Sequence, residues 1–163
     1  MVLDAGPPYP GREENAGGVG VVARAPRSMV KAQPKTLACR AAMDSGRLLK
    51  VHCNAAEGFD IIIFNLYGKA GGSADPEAAA VTEVLLDAVE EDMQDDMDTP
   101  CIICGEPNAR PQDIPKLEEM LEHAWNDVCA MSGIWGARGG ETTCRISGHA
   151  KESRIDYIIT NNR

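Results

Sequence analysis

The residues of this sequence best suited to chemistry are grouped in three short polar motifs. Each motif adjoins a run of apolar residues: Asn65-Leu66-Tyr67-Gly68 follows one run, Gly105-Glu106-Pro107-Asn108 follows a second, and Ser153-Arg154-Ile155-Asp156-Tyr157 precedes a third. Carboxylates such as Glu106 and Asp156 can position water or bind a cation, and amide, phenol and guanidinium groups can donate hydrogen bonds to developing negative charge. The motifs therefore supply groups that acid–base and electrostatic catalysis use.

These motifs are predicted to lie at the ends of strands. Apolar runs and turn residues predict strands at 19–22, 48–53, 59–67, 101–104, 142–146 and 155–160, whereas the basic segment 27–34 is predicted to be a loop. Polar residues at the ends of buried strands are held by the core while their side chains reach solvent. This arrangement favours a functional site built from the three motifs.

Two helices are predicted between the strands. The first begins with Asp75 as its N-cap and Pro76 in its first turn. Its apolar stripe is formed by Val81, Val84, Leu85 and Ala88. The acidic run 90–98 is interpreted as the solvated end of this helix, and the second helix spans 115–125. Strands and helices in this order predict a mixed α/β fold in which helices cover the faces of sheets.

Length and composition predict one soluble domain with a flexible N-terminal lead-in. A chain of 163 residues can form one hydrophobic core. Residues 1–17 are rich in Gly and Pro and are interpreted as the lead-in, and residues 18–163 are interpreted as the domain. No apolar stretch approaches the ~20 residues that span a bilayer, and no signal-peptide pattern begins the chain. We expect an intracellular protein, nuclear or cytoplasmic, with no membrane partner.

The ordered set of three motifs resembles the endonuclease/exonuclease/phosphatase superfamily. Its members include apurinic endonucleases, DNase-like enzymes, retrotransposon endonucleases and inositol phosphatases, in which N-x-Y, G-D-x-N and R-I-D-Y motifs follow one another with similar spacing. The resemblance covers roughly residues 18–161. It implies a four-layer α/β/β/α sandwich, here partial, and descent from divalent-metal-dependent phosphodiester hydrolases of the nuclease type.

The resemblance also implies roles for individual residues. Tyr67 would donate a hydrogen bond to a substrate phosphate, and Asn108 would contact the phosphate or the nucleophile. Glu106 stands where the family has the Asp that orients or deprotonates water, and it is a weak candidate ligand for Mg²⁺ or Mn²⁺. Asp156 would orient a catalytic His. Three further residues, Asn65, Thr143 and Arg154, are expected to bind substrate.

The sequence departs from the family pattern at several points. Glu106 is longer than the family's Asp by one methylene, and Pro107 restricts it to extended geometry. The metal-binding Glu expected upstream and the Asp-His pair expected downstream have no counterpart in this sequence. The resemblance therefore implies a chain truncated at both ends, and it leaves open whether the chain is an active enzyme.

Charge and composition leave the partners open. The net charge of −9 disfavours broad nucleic-acid binding, but residues 15–43 carry five basic residues and no acidic one. Nucleic acid or another phosphate ester is a possible ligand of this segment. An incomplete sandwich would expose sheet edges and apolar surface, which predicts self-association.

Two alternatives to a hydrolase follow from the same residues. The chain could be a non-catalytic relic or an interaction protein that retains the scaffold. A zinc or redox module could use Cys101 and Cys104, although alternation along a strand puts these two thiols on opposite faces. Zinc sites usually have four ligands, and no second pair of cysteines has this spacing.

Overall fold

Ten strands and three α-helices form in residues 1–5, 18–23, 28–55, 59–96, 98–136, 142–145 and 152–162, which are the residues that this computed structural model describes. The strands are β1 Val2–Ala5, β2 Gly18–Val21, β3 Ser28–Lys31, β4 Leu48–Ala55, β5 Phe59–Tyr67, β6 Cys101–Glu106, β7 Trp125–Asp127, β8 Cys144–Arg145, β9 Glu152–Ser153 and β10 Tyr157–Asn161. The helices are α1 Leu37–Asp44, α2 Pro76–Met93 and α3 Pro115–His123. Short 3₁₀ turns occupy Gln94–Asp96, Pro111–Asp113 and Ser132–Trp135.

Six strands form the central sheet in the order β3-β4-β5-β6-β10-β7. The β5–β6 pair is parallel, and the other neighbours are antiparallel. Tyr67 is opposite Glu106 in the parallel pair, and Tyr157 is opposite Gly105 in the antiparallel pair of β10 with β6. The ends of β5 and β6 therefore meet the start of β10 at one edge of the sheet.

The three helices cover one face of this sheet. Side chains from alternate positions of the strands meet the helices in a single core, and Phe64, Leu66, Ile103 and Ile159 are fully or almost fully buried there. Burying such a side chain stabilises the fold by about 1.5–3 kcal/mol. This core fixes the strands whose ends carry the polar motifs.

Helix α2 begins as the sequence predicts, but its buried face is wider. The Asp75 carboxylate accepts a hydrogen bond from the backbone N–H of Glu77, and Pro76 opens the helix. Leu85 and Ala88 are buried as expected, whereas Val84 is 64% exposed. The buried face also takes in Leu86 and other positions because α2 packs against α1, α3 and β5 together.

In the described part of the chain, the other face of the sheet is covered over β4 and β5. There the antiparallel pair β1–β2 packs Val19 against Leu49 and Val51. Farther along the same face, on β10, Ile158 is 50% exposed. The described residues therefore form a helix layer, a six-stranded sheet and a small two-stranded sheet. No helix in the described part of the chain is both long and apolar enough to cross a bilayer.

Several elements differ from the predictions. Val2–Ala5 of the expected lead-in form β1, and Ser28–Lys31 of the expected loop form edge strand β3. Edge strands tolerate charged residues, which explains why the lysine-bearing β3 was not recognised. Helix α1 was not predicted, and the second helix ends at His123 so that Trp125 belongs to β7. Residues 6–17 lie outside the described residues.

The acidic run 90–98, which begins in the last turn of α2, is not wholly solvated, because Asp92 is 1% exposed. The Lys50 ammonium donates to Asp92 Oδ2 at 2.6 Å, and the backbone N–H groups of Lys35 and Thr36 donate to Oδ1 at 2.6 and 3.2 Å. Burial opposes ionisation of Asp92, but these hydrogen bonds outweigh it and lower the pKa of the carboxyl below its usual value. Asp92 therefore joins α2, β4 and the start of α1.

Candidate functional site

The three polar motifs meet at one edge of the central sheet. Tyr67 ends β5, Glu106 ends β6, and Asp156 directly precedes β10. Because side chains alternate along strands, Asn65 and Tyr67 point to the same face as Glu106, which is the face opposite the helices. The structure thus brings together residues separated by as many as 91 positions in the sequence, from Asn65 to Asp156.

The carboxylates of Glu106 and Asp156 lie near enough for the charge of Asp156 to act on Glu106. The pKa of Glu106 is raised above its usual value, first by burial and second by the negative charge of Asp156. Both effects disfavour the charged carboxylate. Asp156 itself is exposed to solvent. This part of the site would gain from a cation or a proton placed between the two groups.

The turn that carries Asn108 is fixed by hydrogen bonds to the backbone. Asn108 has a positive φ of 62°, and its amide nitrogen donates to the carbonyl oxygens of Gly68 at 3.0 Å and Glu106 at 3.4 Å. The Arg47 guanidinium donates to the carbonyl oxygens of Gly68 at 3.0 Å and Tyr67 at 3.3 Å. Side chains therefore connect the ends of β5 and β6. The carbonyl oxygen of the Asn108 amide is the remaining polar atom of that side chain.

Arg47 also lies over the ring of Tyr67, with its guanidinium carbon 5.6 Å from the ring centroid. Such a cation–π contact restrains the ring. Arg47 is a site-positioning residue that the sequence analysis missed. An isolated Arg before a strand offers no signal for such a contact across the sheet.

Arg154 holds the third motif in place. Its guanidinium donates to both carboxylate oxygens of Asp127, at 2.6 and 2.7 Å, and lies 4.3 Å from the centroid of the Tyr157 ring. The Tyr157 hydroxyl donates to the carbonyl oxygen of Arg154 at 3.0 Å. Burial opposes ionisation of Asp127, but the hydrogen bonds from Arg154 and from the loop backbone lower its pKa. The structure places Arg154 in the framework of the site, and a contact with substrate stays a prediction.

The side chains of Thr143 and Asn65 also form hydrogen bonds with the protein backbone around the site. Thr143 Oγ1 accepts hydrogen bonds from the backbone N–H groups of Ile155 and Asp156, at 3.0 and 3.1 Å. The Asn65 amide donates to the carbonyl oxygen of Gly20 at 2.8 Å, so it joins β5 to the small sheet. Both residues lie at the site where the sequence analysis placed them, but their direct contacts are with the backbone. Their roles in substrate binding are not tested by these contacts.

The oxygen atoms available at the site are the type of ligand that a hard divalent cation prefers. Glu106 and Asp156 offer carboxylate oxygens, and Mg²⁺ is commonly held by one or two carboxylates with water completing its coordination. Among the described residues, no group of three or more His, Cys, Asp and Glu side chains could hold a metal ion. A cation at this site would therefore depend on water or substrate oxygens for most of its ligands.

The two cysteines of β6 differ in environment. Cys101 is buried in the helix-side core, and Cys104 lies on the opposite face beside Asn65. Burial raises the pKa of Cys101 to about 12 and also raises the pKa of Cys104. These environments favour protonated thiols, whereas metal binding and thiol exchange need thiolates.

Two grooves flank the site. One of about 600 Å³ lies over the exposed part of the sheet and is lined by Cys104, Val128, Asp156 and Ile158, among others. The other, of about 810 Å³, opens beside Asn108. The site is therefore open to a ligand larger than a single phosphate.

Comparison with known proteins gives matches at the level of structure alone. No family model matches the sequence, and no curated protein matches it. Solved structures do match, including the Xenopus laevis APE2 catalytic domain, with 18% identity and a TM-score of 0.52, over 77% of this chain and 49% of that one. A humanized D. rerio TDP2 matches with 15% identity and a TM-score of 0.58, over 83% of this chain and 52% of that one.

An AP endonuclease from Archaeoglobus fulgidus is similar to the chain in the same way, with 18% identity and a TM-score of 0.50. The match covers 78% of this chain and 55% of that one. The chain thus spans about half the length of these solved structures. At such identities the likeness concerns the fold. The chain has the DNase-like fold of these solved structures, which is the fold that the three ordered motifs predicted.

Proposed function

We propose that this chain carries a divalent-metal-dependent phosphodiester hydrolase site of the nuclease type. The observation that carries this proposal is the meeting of Tyr67, Glu106, Asn108 and Asp156 at one edge of the sheet, from three motifs that are far apart in the sequence. Phosphodiester hydrolysis needs a positioned water and groups that stabilise negative charge on the phosphate. The four side chains can supply both.

Each of these residues has a role that fits its environment. Glu106, with its raised pKa, accepts a proton from the attacking water more readily than an ordinary carboxylate. Tyr67 donates a hydrogen bond to a phosphate oxygen, whereas the remaining amide oxygen of Asn108 accepts a hydrogen bond from the attacking water. The contacts of Arg47 and of the β5–β6 ends hold the two residues in position. Asp156 provides a second carboxylate next to Glu106. When bound, Mg²⁺ or Mn²⁺ would polarise the phosphate and neutralise charge.

Nucleic acid is the substrate class that we propose. A D. rerio TDP2 structure determined with a single-strand DNA product has the same fold, with 14% identity and a TM-score of 0.55. The open grooves on both sides of the site leave room for a strand that continues beyond the scissile phosphate. The net charge of −9 disfavours long electrostatic contacts, which favours a short single-stranded substrate over a long duplex.

Isosteric replacement of the two carboxylates tests the catalytic assignment. Glu106→Gln and Asp156→Asn are each expected to lower kcat/KM for cleavage of single-stranded DNA or RNA about 10²-fold, because acid–base and electrostatic contributions are lost. The measurement is cleavage of labelled oligonucleotides in Mg²⁺ or Mn²⁺, with EDTA as the blank. Glu118→Gln on the exposed surface of α3 is the matched control and should leave cleavage unchanged. Equal activity of Glu106→Gln, Asp156→Asn and the control would contradict the assignment.

A second candidate is an interaction protein that associates with a copy of itself. The half-exposed Ile158 favours it, because this residue lines an open groove together with Val128 and Cys104, on a sheet face that β1–β2 does not cover. We propose that the same face of a second copy covers it. Exposed apolar patches on sheets commonly mark such contacts.

Sedimentation velocity over a concentration series tests this association. The wild-type protein is expected to form a dimer that Ile158→Glu converts to a monomer, since burying an unpaired carboxylate is costly. Val84→Glu is the matched control, because Val84 is similarly exposed but lies on α2, across the sheet from this face. A wild-type monomer at all concentrations would refute this candidate.

A further inference from the structure

A groove of about 810 Å³ opens beside Asn108, away from the two carboxylates. It lies between the loop before α2, the loop before α3 and the segment before β10, and its lining includes Ser73, Asn108, Arg110, Gln112, Ile155 and Tyr157. Its surface is mainly apolar, and its volume is within the ~300–1,000 Å³ of typical ligand sites. None of the catalytic roles above uses the groove beyond Asn108.

The orientation of Arg110 is fixed at this groove. Its Nε donates to Asp113 Oδ2 at 2.8 Å and its Nη2 donates to Asp113 Oδ1 at 3.0 Å, so the planar guanidinium is held by two parallel hydrogen bonds. The side chain is still 52% exposed. The backbone N–H of Arg110 donates to Ser73 Oγ at 3.3 Å, which connects two walls of the groove. Arg110 therefore presents a flat surface in a defined place.

The charges around the groove select against a phosphate as its occupant. The carboxylate of Asp113 offsets the positive charge of Arg110, and Asp127 offsets that of Arg154. Glu106 and Asp156 add negative charge at the adjoining site. A ligand with a flat, neutral, polarisable body is better suited to this environment than a polyanion.

We propose that this groove binds an unpaired nucleobase of the substrate strand, stacked on the guanidinium plane of Arg110. Unstacked bases in single strands commonly stack on Arg guanidinium planes. The exposed amide of Gln112 can donate to and accept from the edge of the base. The proposal rests on the proposed function, because the position of Asn108 between groove and carboxylates makes the base a neighbour of the scissile phosphate.

Single-stranded oligonucleotides that carry 2-aminopurine between two abasic sites, placed at successive positions, test the stacking, because the base is unstacked in the free strand and its fluorescence falls when it stacks. Binding is measured in EDTA, so that it does not depend on cleavage. The wild-type protein is expected to quench one position of the strand. Arg110→Ala and Arg110→Lys should each weaken binding about tenfold and abolish the quench, because both remove the plane. Arg110→Tyr should restore both, since an aromatic ring replaces the plane.

Lys116→Ala is the control, because Lys116 is a cation of helix α3 that pairs with Glu90 and does not line the groove. Quenching that Arg110→Ala leaves unchanged, or its absence at every position, would overturn the nucleobase proposal. Retention of the quench by Arg110→Lys would also overturn it, since charge rather than stacking would then be responsible. Metal-dependent cleavage without quenching would refute this proposal alone, whereas quenching without cleavage would refute the proposed hydrolase and support the base site.

Discussion

Replacing Asp92 with alanine is expected to lower the free energy of unfolding by about 3–5 kcal/mol, the range found when one partner of a buried ion pair is removed. The substitution leaves the ammonium of Lys50 buried, with a side chain that is 4% exposed and no carboxylate in contact. It also removes the acceptor of the backbone N–H groups of Lys35 and Thr36. Urea unfolding at pH 7 measures the change.

Two further variants separate the charge from the packing. Lys50→Met/Asp92→Asn removes both charges together and keeps an amide oxygen that can accept from the backbone N–H groups of Lys35 and Thr36, so we expect it to recover most of the stability that Asp92→Ala loses. Glu91→Ala changes an exposed acid on the same turn of α2 and should have an effect within about 0.5 kcal/mol. An effect of Asp92→Ala no larger than that of Glu91→Ala would contradict the importance of the pair.

The pH dependence of stability gives a second readout of the same pair. The folded-state pKa of Asp92 is below its unfolded value of about 3.9. Its contribution is therefore fully present above that unfolded value and is lost as the pH falls through the lowered folded value. Asp92→Asn removes this titration. The difference in unfolding free energy between wild type and Asp92→Asn should be constant between pH 7 and pH 5 and should narrow below about pH 4.

Asp92 also illustrates what local sequence patterns leave out. In the sequence it is one acid in the acidic run 90–98, and no pattern in the neighbouring residues predicts that it is buried. Its partner Lys50 is 42 positions away on β4, and the pairing arises only when α2 packs on the sheet. The Asp127–Arg154 pair was missed for the same reason, because its members are 27 positions apart.

The strands that carry the site were predictable because each is a continuous apolar run. A short continuous apolar run is typical of a buried strand such as β5 or β6, and the polar residues that follow the run mark the end of the strand. By contrast, β3 is a short edge strand with a lysine, and β7 has three residues. Such elements owe their structure to neighbouring strands rather than to their own composition, so sequence patterns miss them.

The position of the site residues was predicted better than their contacts. Strand ends specify where Asn65, Thr143 and Arg154 lie, but only the three-dimensional structure shows that each is engaged with the protein itself. Polar side chains near a site can serve either the substrate or the framework. The sequence carries no signal that separates the two.

Gly105→Ala is expected to destabilise the protein by roughly 4 kcal/mol, from backbone strain and overpacking together. Gly105 has a φ of +131°, a backbone conformation that residues with a side chain rarely adopt. A Cβ atom there would lie 2.0 Å from the carbonyl oxygen of Leu66 and 2.8 Å from Asn65 Oδ1. The backbone of β5 cannot yield without losing its pairing with β6. Urea unfolding of the variant measures the loss.

Gly133→Ala is the matched control, because a Cβ atom at Gly133 would meet nothing within 4 Å, and Gly133 is not among the glycines of positive φ. It should change the unfolding free energy by no more than about 1 kcal/mol. A similarly small effect of Gly105→Ala would mean that β5 and β6 can separate at little cost. The close approach of these strands places Tyr67 beside Glu106. Gly105 therefore serves the site through the backbone, by allowing the strand ends that carry the site residues to lie in contact.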